Sequence, residues 1–341
     1  MASKKKIVDE VPGWIRVFED GTVDRTWTGT PEMEPLLKPV SPHEEFKNGV
    51  AVRDQIIDPK TGLAVRIYVP EMKNNVQTKA KIPLILHLHG GGYCICQPDW
   101  SLYYHFNTRL VSSVQAVLVS VYFRLAPEHR LPVAVEDSYT ALLWLRANAR
   151  GELSDKWLTS YADFNRVFLV GDSSGGNLVH QVAARAGFDD IEPLKLRGGI
   201  AIQPGFISDK PSKSYLEIPE NPLSTREMMK KFMSLAVPIG STGEDPIVWP
   251  VGPQAPPLTT LKLPPMLVLV AEMDLLRDYQ LEYCEEMKKA GKEVEVSMND
   301  GMSHSFQFNK LAIETDPEMA AQANKMIEVI VSFINRNWSG Y

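Results

Sequence analysis

The sequence predicts an α/β fold, in which a largely parallel sheet carries helices on both faces. Two observations lead to this prediction. Short apolar runs suited to buried strands alternate with segments whose apolar residues recur three and four positions apart. Hydrophobic residues make up 44% of the 341-residue chain, which is enough for one large core. We therefore expect a single domain over residues 1–341.

The N-terminal region is predicted to be antiparallel. In "WIRVFEDGTVDRTW", Asp20 and Gly21 separate two alternating segments, which is a hairpin signal. The stretch "VAVRDQIIDPKTGLAVRIYVP" repeats this pattern around Asp58, Pro59 and Gly62. These antiparallel strands are expected to open the sheet.

From residue 83 onward, strand patterns and helix patterns alternate. The near-continuous apolar runs typical of strands buried on both faces are residues 83–89, 116–123, 166–172, 198–204, 265–274 and 293–298. Helical spacing is found between them, at residues 101–114, 134–150, 176–187 and 278–291. This alternation predicts parallel strands covered by helices.

One stretch, residues 207–258, interrupts the alternation. It is rich in proline, serine, glutamate and methionine and contains a single helical pattern, "STREMMKKFMSLA". A compact domain rarely carries so long a loop unless the loop is a lid or a binding insertion. We expect this stretch to form part of a cap over the sheet.

Charge and cysteine content argue against several functional classes. The formal net charge of −6 gives no reason to expect nucleic acid or a membrane as a partner. The longest apolar run, Met266–Ala271, is too short to span a bilayer, and no signal-peptide core follows the lysines at 4–6. Cys94, Cys96 and Cys284 have neither disulfide-framework nor zinc-site spacing. We therefore expect no metal ion and a cytoplasmic location. The nucleus is the alternative location, if the lysines at 4–6 act as a nuclear-localisation signal.

Two adjacent serines occupy "LVGDSSGGNLVH", which predicts a strand, a tight turn and a helix. The pattern G-x-S-x-G fits only when centred on Ser173, because Gly171 and Gly175 flank it, whereas Ser174 lacks a glycine two positions before it. A nucleophile at such a turn has a strained backbone, and side chains at the flanking positions would collide. Ser173 is the candidate nucleophile. The alternatives are a structural glycine turn or a phosphate-binding loop, although the latter needs a lysine after its glycines.

A second glycine-rich motif, "HLHGGGY", follows the predicted strand 83–89 directly. A glycine-rich loop in this position typically forms part of an oxyanion hole, because consecutive glycines leave their backbone N–H groups free to point at an anion. We expect Gly91 and Gly92 to supply two donors and the backbone N–H of Ser174 a third. A plain glycine turn is the alternative interpretation.

A serine nucleophile also needs an acid and a base, in the chain order Ser, Asp, His. Six of the seven histidines lie before residue 181, and only His304 lies further along the chain, in the turn-rich "NDGMSHSF". Glu272, Asp274 and Asp278 are the candidate acids. We favour Asp274, because it follows an apolar strand at the sheet edge where ligands gather in α/β proteins.

The remaining histidines near these motifs are given supporting roles. His87 and His89 alternate along a predicted strand and are interpreted as packing groups beside the site. His180 is predicted to lie on a helix surface.

Five motifs in order, "HGGGY", "VYFRLAPEHRLPVAVEDSY", "GDSSGGNLVH", "DLLRD" and "GMSHSF", resemble those of plant carboxylesterases in the hormone-sensitive-lipase-like branch of the α/β hydrolases. The similarity extends over nearly the whole chain. It implies the α/β-hydrolase fold, Ser173, Asp274 and His304 as a catalytic triad, and Gly91, Gly92 and Ser174 as the oxyanion hole. It also implies a cap built from residues 1–45 and 207–258. The candidate substrate-binding residues are Tyr93, Phe206, Ile207, Leu223, Phe232 and Trp249.

The expected activity is hydrolysis of small, largely neutral carboxylic esters through an acyl-enzyme, without metal or cofactor. Plant hormone or specialised-metabolite esters, strigolactone-like and galloyl esters among them, fit this class. Two alternatives remain from related families: a lyase or cyclase that uses the same pocket, and a hormone-binding receptor without turnover. The only partner expected is the small-molecule substrate, and both a monomer and a weak dimer are compatible with the sequence.

Overall fold

The computed structural model describes residues 5–72, 80–221 and 224–338. Its strands are β1 (Ile7–Val11), β2 (Ile15–Phe18), β3 (Val23–Asp24), β4 (His43–Lys47), β5 (Val50–Asp58), β6 (Leu63–Pro70), β7 (Ile82–Leu88), β8 (Val117–Tyr122), β9 (Ala162–Asp172), β10 (Leu196–Ile202), β11 (Met266–Ala271) and β12 (Val294–Asn299). Its α-helices are α1 (Ser101–Val114), α2 (Val133–Ala149), α3 (Lys156–Tyr161), α4 (Ser174–Ala186), α5 (Lys213–Glu217), α6 (Arg226–Ala236), α7 (Arg277–Lys289), α8 (Lys310–Thr315) and α9 (Pro317–Trp338). Short 3₁₀ turns occupy Glu34–Leu37, Leu258–Thr260 and Phe306–Phe308.

In the described part of the chain, the central sheet has nine strands in the order β12-β11-β10-β9-β7-β8-β6-β5-β4. Pairs from β12 through to β8 are parallel, and β6, β5 and β4 add antiparallel strands at one edge. β1, β2 and β3 form a separate antiparallel sheet. The predicted α/β fold with an antiparallel opening is therefore confirmed.

Helices cover both faces of the sheet because successive strand residues point to opposite sides. Leu84 and Leu86 of β7 belong to the core cluster that includes residues of α2, α4 and α7. Ile85, between them, belongs to the cluster formed with α1 and α9. Continuous apolar strands thus supply two cores, one on each face.

Several elements were not predicted. The largest is α9, whose buried residues Met326, Ile327, Ile330, Phe333 and Ile334 recur three and four positions apart, so the signal was present in the sequence. β1, β4, α3, α5 and α8 are the others. The described residues of the stretch 207–258 accordingly hold two α-helices, α5 and α6, instead of the single expected one.

The prediction for His180 is wrong. This side chain is 3% exposed, and its Nδ1 lies 3.0 Å from the hydroxyl of Tyr283 on α7. α4 is packed against the sheet and against α2, so the face that carries His180 does not reach solvent. Burial lowers the pKa of His180 to about 4.

Candidate active site

Ser173 occupies the sharp turn between β9 and α4. Its backbone angles are φ 51° and ψ −121°, a conformation that residues with a side chain rarely adopt. Two backbone hydrogen bonds hold it, from Ser173 N–H to the carbonyl of Ile202 (2.9 Å) and from Gly205 N–H to the carbonyl of Ser173 (2.7 Å). The turn therefore projects Ser173 away from the sheet in a strained conformation fixed by its neighbours.

Close backbone contacts require glycine at both positions that flank Ser173, Gly171 and Gly175. A Cβ atom on Gly171 would lie 2.3 Å from the carbonyl oxygen of Gly175. A Cβ atom on Gly175 would lie 2.0 Å from the carbonyl oxygen of Leu88, at the end of β7. Side chains at these positions would push the turn away from the neighbouring strand, which is the collision that the motif predicts.

The structure brings Ser173, His304 and Asp274 into one hydrogen-bonded chain. Nε2 of His304 is 2.9 Å from Oγ of Ser173, and Nδ1 of His304 is 2.7 Å from Oδ2 of Asp274. The three residues follow β9, β12 and β11, so parallel strands deliver them to the same edge of the sheet. With Nδ1–H donated to Asp274, the lone pair of Nε2 faces the serine hydroxyl.

Two opposing effects set the protonation of His304. Burial lowers its pKa, but the charge of Asp274, the hydrogen bond to it and the charge of Asp172 together raise the pKa above its ordinary value of 6.5. The carboxylate of Asp274 is completely buried and the His304 side chain is 12% exposed. The site thus stabilises the imidazolium form, as a general base that accepts a proton requires.

The other two candidate acids have different partners. Glu272 accepts a hydrogen bond from the backbone N–H of Gly301 at 2.7 Å, and Asp278 accepts one from Ser214 at 2.6 Å. Neither contacts His304 in the described part of the chain. Of the three acids weighed from the sequence, Asp274 alone meets the histidine.

Two glutamines that no sequence motif identified hold the acid and the loop that carries His304. The side-chain amide of Gln280 donates to Oδ2 of Asp274 at 2.9 Å, beside the bond from His304. Oε1 of Gln203 accepts from the backbone N–H of Ser305 at 2.6 Å. No local sequence motif relates the residues that these contacts join. The two glutamines can therefore be identified only from the packing of the folded chain.

The glycine loop after β7 forms one wall of the site. Gly91 and Gly92 have φ values of 98° and 58°. None of the described residues accepts a hydrogen bond from the backbone N–H of Gly91, Gly92 or Ser174. These three groups border the same cavity as Ser173 and are available to bind an anion there.

The loop is tied to the turn that carries Ser173 by buried side chains. Oγ of Ser174 accepts from the backbone N–H of Tyr93 at 3.3 Å. The carboxylate of Asp172 accepts from the backbone N–H of Gly90 (3.2 Å) and from the hydroxyl of Tyr103 (3.1 Å). Burial raises the pKa of Asp172 to about 7. The two residues on either side of Ser173 therefore position the glycine loop.

Ser173 opens into a cavity of about 200 Å³. Its wall is largely apolar and comes from distant parts of the chain: Trp14, Met33, Leu36, Ile95, Leu102, Ile207, Met228, Met229, Phe232, Met233, Leu276 and Phe308. The lining residues that carry a carboxyl or an imidazole group are Asp172 and His304, beside Ser173. Such a wall suits a small neutral ligand.

The predicted pocket residues have mixed outcomes. Tyr93, Ile207 and Phe232 line the cavity. Phe206 and Trp249 do not, and this corrects the prediction. Leu223 lies outside the described residues.

Phe206 and Trp249 are core residues for a physical reason. Phe206 is completely buried, and its ring lies 4.5 Å from that of Tyr283 and 6.4 Å from that of Trp249. The next residue, Ile207, faces the cavity. Neighbouring residues of an extended segment point in opposite directions, so only one of the two can line the pocket.

The three cysteines, Cys94, Cys96 and Cys284, are buried free thiols. Burial raises the pKa of the Cys94 and Cys284 thiols to about 12. Within residues 5–72, 80–221 and 224–338, no group of three or more His, Cys, Asp or Glu side chains is arranged to hold a metal ion.

Comparison with known proteins gives a consistent result. Residues 85–308 match a family model described as the alpha/beta hydrolase fold. The chain is 35% identical over 326 residues to "Probable carboxylesterase 6" of Arabidopsis thaliana, which covers 94% of this chain and 91% of that protein. It is 34% identical to "2-hydroxyisoflavanone dehydratase" of Glycyrrhiza echinata, covering 90% of this chain and 92% of that one.

A solved structure agrees. The esterase of Pyrobaculum calidifontis superposes with a TM-score of 0.68 at 27% identity, over 84% of each chain. The chain therefore belongs to the α/β-hydrolase family, in the hormone-sensitive-lipase-like branch that contains the plant carboxylesterases.

Proposed function

We propose that this carboxylic ester hydrolase cleaves small, largely neutral esters through an acyl-enzyme on Ser173. The hydrogen-bonded chain from Ser173 through His304 to Asp274 carries the proposal. A serine hydroxyl is a weak nucleophile until an adjacent base takes its proton, and this chain supplies the base and its orienting acid.

The first half of the reaction forms the acyl-enzyme. Oγ of Ser173 bonds to the ester carbonyl carbon while its proton passes to Nε2 of His304. The carbonyl oxygen becomes an oxyanion, which the N–H groups of Gly91, Gly92 and Ser174 stabilise. When the carbonyl re-forms, the bond to the alcohol oxygen breaks and that oxygen takes the proton from His304.

The second half regenerates the enzyme. A water molecule gives a proton to His304 and its oxygen bonds to the acyl carbon. The second tetrahedral intermediate collapses, the bond to Ser173 breaks, and Oγ recovers the proton from the imidazolium. Throughout the reaction Asp274 holds the imidazole in one orientation and stabilises its positive charge.

We further propose that the N-terminal segment and the insertion 207–258 cap this site within a single domain. Trp14 from the first and α6 from the second both contribute to the cavity wall. Lys231 on α6 forms a 2.6 Å ion pair with Asp9, and Arg130 donates to carbonyls at the end of α6, including that of Val237 at 2.7 Å. These contacts support α6 as a fixed wall that excludes water.

Elimination is the second candidate reaction, because one relative at 34% identity is named a dehydratase. His304 could equally remove a proton from a carbon acid bound in the cavity. A receptor without turnover is less well supported, since the base, its acid and the free backbone donors are all present.

Among the described residues no helix is both long and apolar enough to cross a membrane. The cytoplasmic location and the absence of a cofactor remain predictions.

Turnover of p-nitrophenyl acetate and butyrate, with and without Ser173→Ala, tests the proposal. A lost triad nucleophile should lower kcat by about 10⁴-fold or more. Ser174→Ala is the matched variant and should lose far less, because its backbone donor survives. Mass spectrometry after an organophosphate probe should find the adduct on Ser173. An adduct on Ser174, or full turnover by Ser173→Ala, would contradict the assignment.

A further inference from the structure

Several polar groups near the reaction centre already have hydrogen-bond partners. The hydroxyl of Ser173 pairs with His304, and the carboxylate of Asp172 accepts from Tyr103. The side-chain oxygen of Asn309 accepts from a backbone N–H at the start of α8. These bonds maintain the geometry of the site, so these groups are not available to recognise a substituent of a ligand.

Ser224, on the segment that leads into α6, differs from them. It borders the cavity and is 5% exposed. Its Oγ atom is buried and has no hydrogen-bond partner among the described residues. Its backbone N–H donates to the carbonyl of Asn221 at 3.0 Å, which helps to position the residue. The residue therefore holds an unsatisfied hydroxyl at a defined place in the cavity wall.

The surroundings make this hydroxyl costly to leave unpaired. Met228, Met229, Phe232 and Met233, the α6 residues that line the cavity, offer no strong hydrogen-bonding group. A buried polar group that is left without a hydrogen bond lowers the binding equilibrium constant by about ten- to a hundredfold. A water molecule can satisfy the hydroxyl before binding, but a purely apolar ligand that displaces this water leaves the hydroxyl unpaired.

We propose that Ser224 is a specificity-determining residue that binds an oxygen substituent of the substrate. The substrate class is then a neutral ester that carries a hydrogen-bonding oxygen, as a ketone, ether or hydroxyl, on an otherwise apolar skeleton. The proposal rests on the ester hydrolysis proposed above and specifies its substrate. A site that forms a hydrogen bond with its substrate discriminates against analogues that lack the matching group. When such an analogue binds, the polar group of the protein is buried without a hydrogen-bond partner.

Two matched pairs of esters test the proposal by turnover. p-Nitrophenyl pentanoate and p-nitrophenyl 4-oxopentanoate differ by one carbonyl on the acyl side, and phenyl acetate and 4-hydroxyphenyl acetate differ by one hydroxyl on the alcohol side. In at least one pair, we expect Ser224→Ala to reduce the preference for the oxygenated ester in kcat/KM by about tenfold. Ser224→Thr keeps the hydroxyl and should keep the preference. Ser234→Ala, which removes an exposed serine hydroxyl from α6, should also keep the preference.

Binding measurements separate this proposal from the proposed activity. Ser173→Ala and Ser173→Ala/Ser224→Ala can bind the same esters without cleaving them, so calorimetry gives the preference as a ratio of Kd values. A preference that depends on Ser224 in binding, without turnover in the intact protein, supports the role of Ser224 and refutes the hydrolysis. Equal preferences with and without the Ser224 hydroxyl, in every pair and in both measurements, overturn the role of Ser224.

Discussion

At the scale of single residues, the environment of each acid decides its chemistry. Glu272, Asp274 and Asp278 lie within seven positions of one another, yet only Asp274 is completely buried against His304. Gln280 donates to the carboxylate of Asp274 on the same oxygen as the histidine. The backbone N–H of Leu276 donates to the other oxygen at 2.9 Å. With both oxygens held, the carboxylate can fix one orientation of the imidazole.

The first prediction concerns the pH dependence that follows from this contact. Since hydrolysis needs neutral His304 and its pKa is raised, kcat/KM should fall on acidification with a midpoint above 6.5. Asp274→Asn removes the largest of the effects that raise the pKa of His304, whereas burial, which lowers it, and the smaller effect of Asp172 remain. The midpoint should therefore move to lower pH than in the unaltered protein, and kcat should drop by about 10⁴-fold.

Asp278→Asn is the control for this measurement, because Asp278 is on the same stretch and contacts Ser214 instead of His304. Its pH profile should match that of the unaltered protein. A midpoint that stays in place in Asp274→Asn would show that another group controls the base.

At the scale of elements, the glycine loop and α6 are in direct contact. A Cβ atom on Gly92 would lie 2.7 Å from Cγ of Phe232 and 2.8 Å from its Cβ. The position also has a φ of +58°. Position 92 therefore requires glycine for two reasons: its backbone is left-handed, and α6 packs directly against it.

Gly92→Ala should displace the loop and lower kcat by tenfold or more, since loss of one donor from an oxyanion hole costs about 10²–10³-fold. Gly62→Ala is the matched control: Gly62 has a φ of +76°, but nothing lies within 4 Å of the added Cβ. It should lose stability without losing kcat. An unchanged kcat in Gly92→Ala, with a normal circular dichroism spectrum, would remove this loop from the mechanism.

The length of the acyl group should be limited by α6. In a series of p-nitrophenyl esters we expect kcat/KM to be highest for short acyl groups and to fall for long ones, because the cavity is about 200 Å³. Met228→Ala shortens a lining side chain and should move the optimum to longer chains. Met273→Ala, which alters an exposed methionine outside the cavity, should not move it. Activity still rising at palmitate in the unaltered protein would indicate a lipase.

At the scale of the whole molecule, buried neutral histidines link stability to pH. Burial lowers the pKa of His87 to about 3 and the pKa values of His89 and His180 to about 4. The unfolded chain, with pKa values of about 6.5, binds more protons than the folded one between these limits. The free energy of unfolding should therefore fall as the pH drops from about 6.5 toward 4, by about 1.4 kcal/mol per pH unit for each histidine.

His180→Gln removes one of these groups and should make that slope shallower by about 1.4 kcal/mol per pH unit, measured by urea denaturation between pH 5 and 6. Asp172, whose raised pKa acts in the opposite direction, is present in both proteins and cancels in the comparison. His129→Gln alters an exposed histidine and should leave the slope unchanged. Identical slopes in His180→Gln and the unaltered protein would mean that His180 is not buried in its neutral form.

The sequence determined the features that depend on local backbone geometry. Continuous apolar runs identified the strands of the parallel sheet, because strands buried on both faces tolerate few polar residues. Glycines two residues either side of Ser173 identified the turn, since a Cβ there would strike neighbouring backbone. The chain order Ser, Asp, His left His304 as the one histidine after Asp274. Each inference used residues close in sequence or a fixed order.

Tertiary structure alone decided which side chains surround the site. Gln203 meets Ser305 across 102 residues, and Trp14 lines the same cavity as α6, a contact that no spacing in the sequence encodes. Phe206 and Ile207 are adjacent, yet one joins the core and the other faces the cavity, because the direction of a side chain depends on how its segment packs. Strand and turn propensities act over a few residues, whereas a binding wall is assembled from segments that meet only when the whole chain is folded.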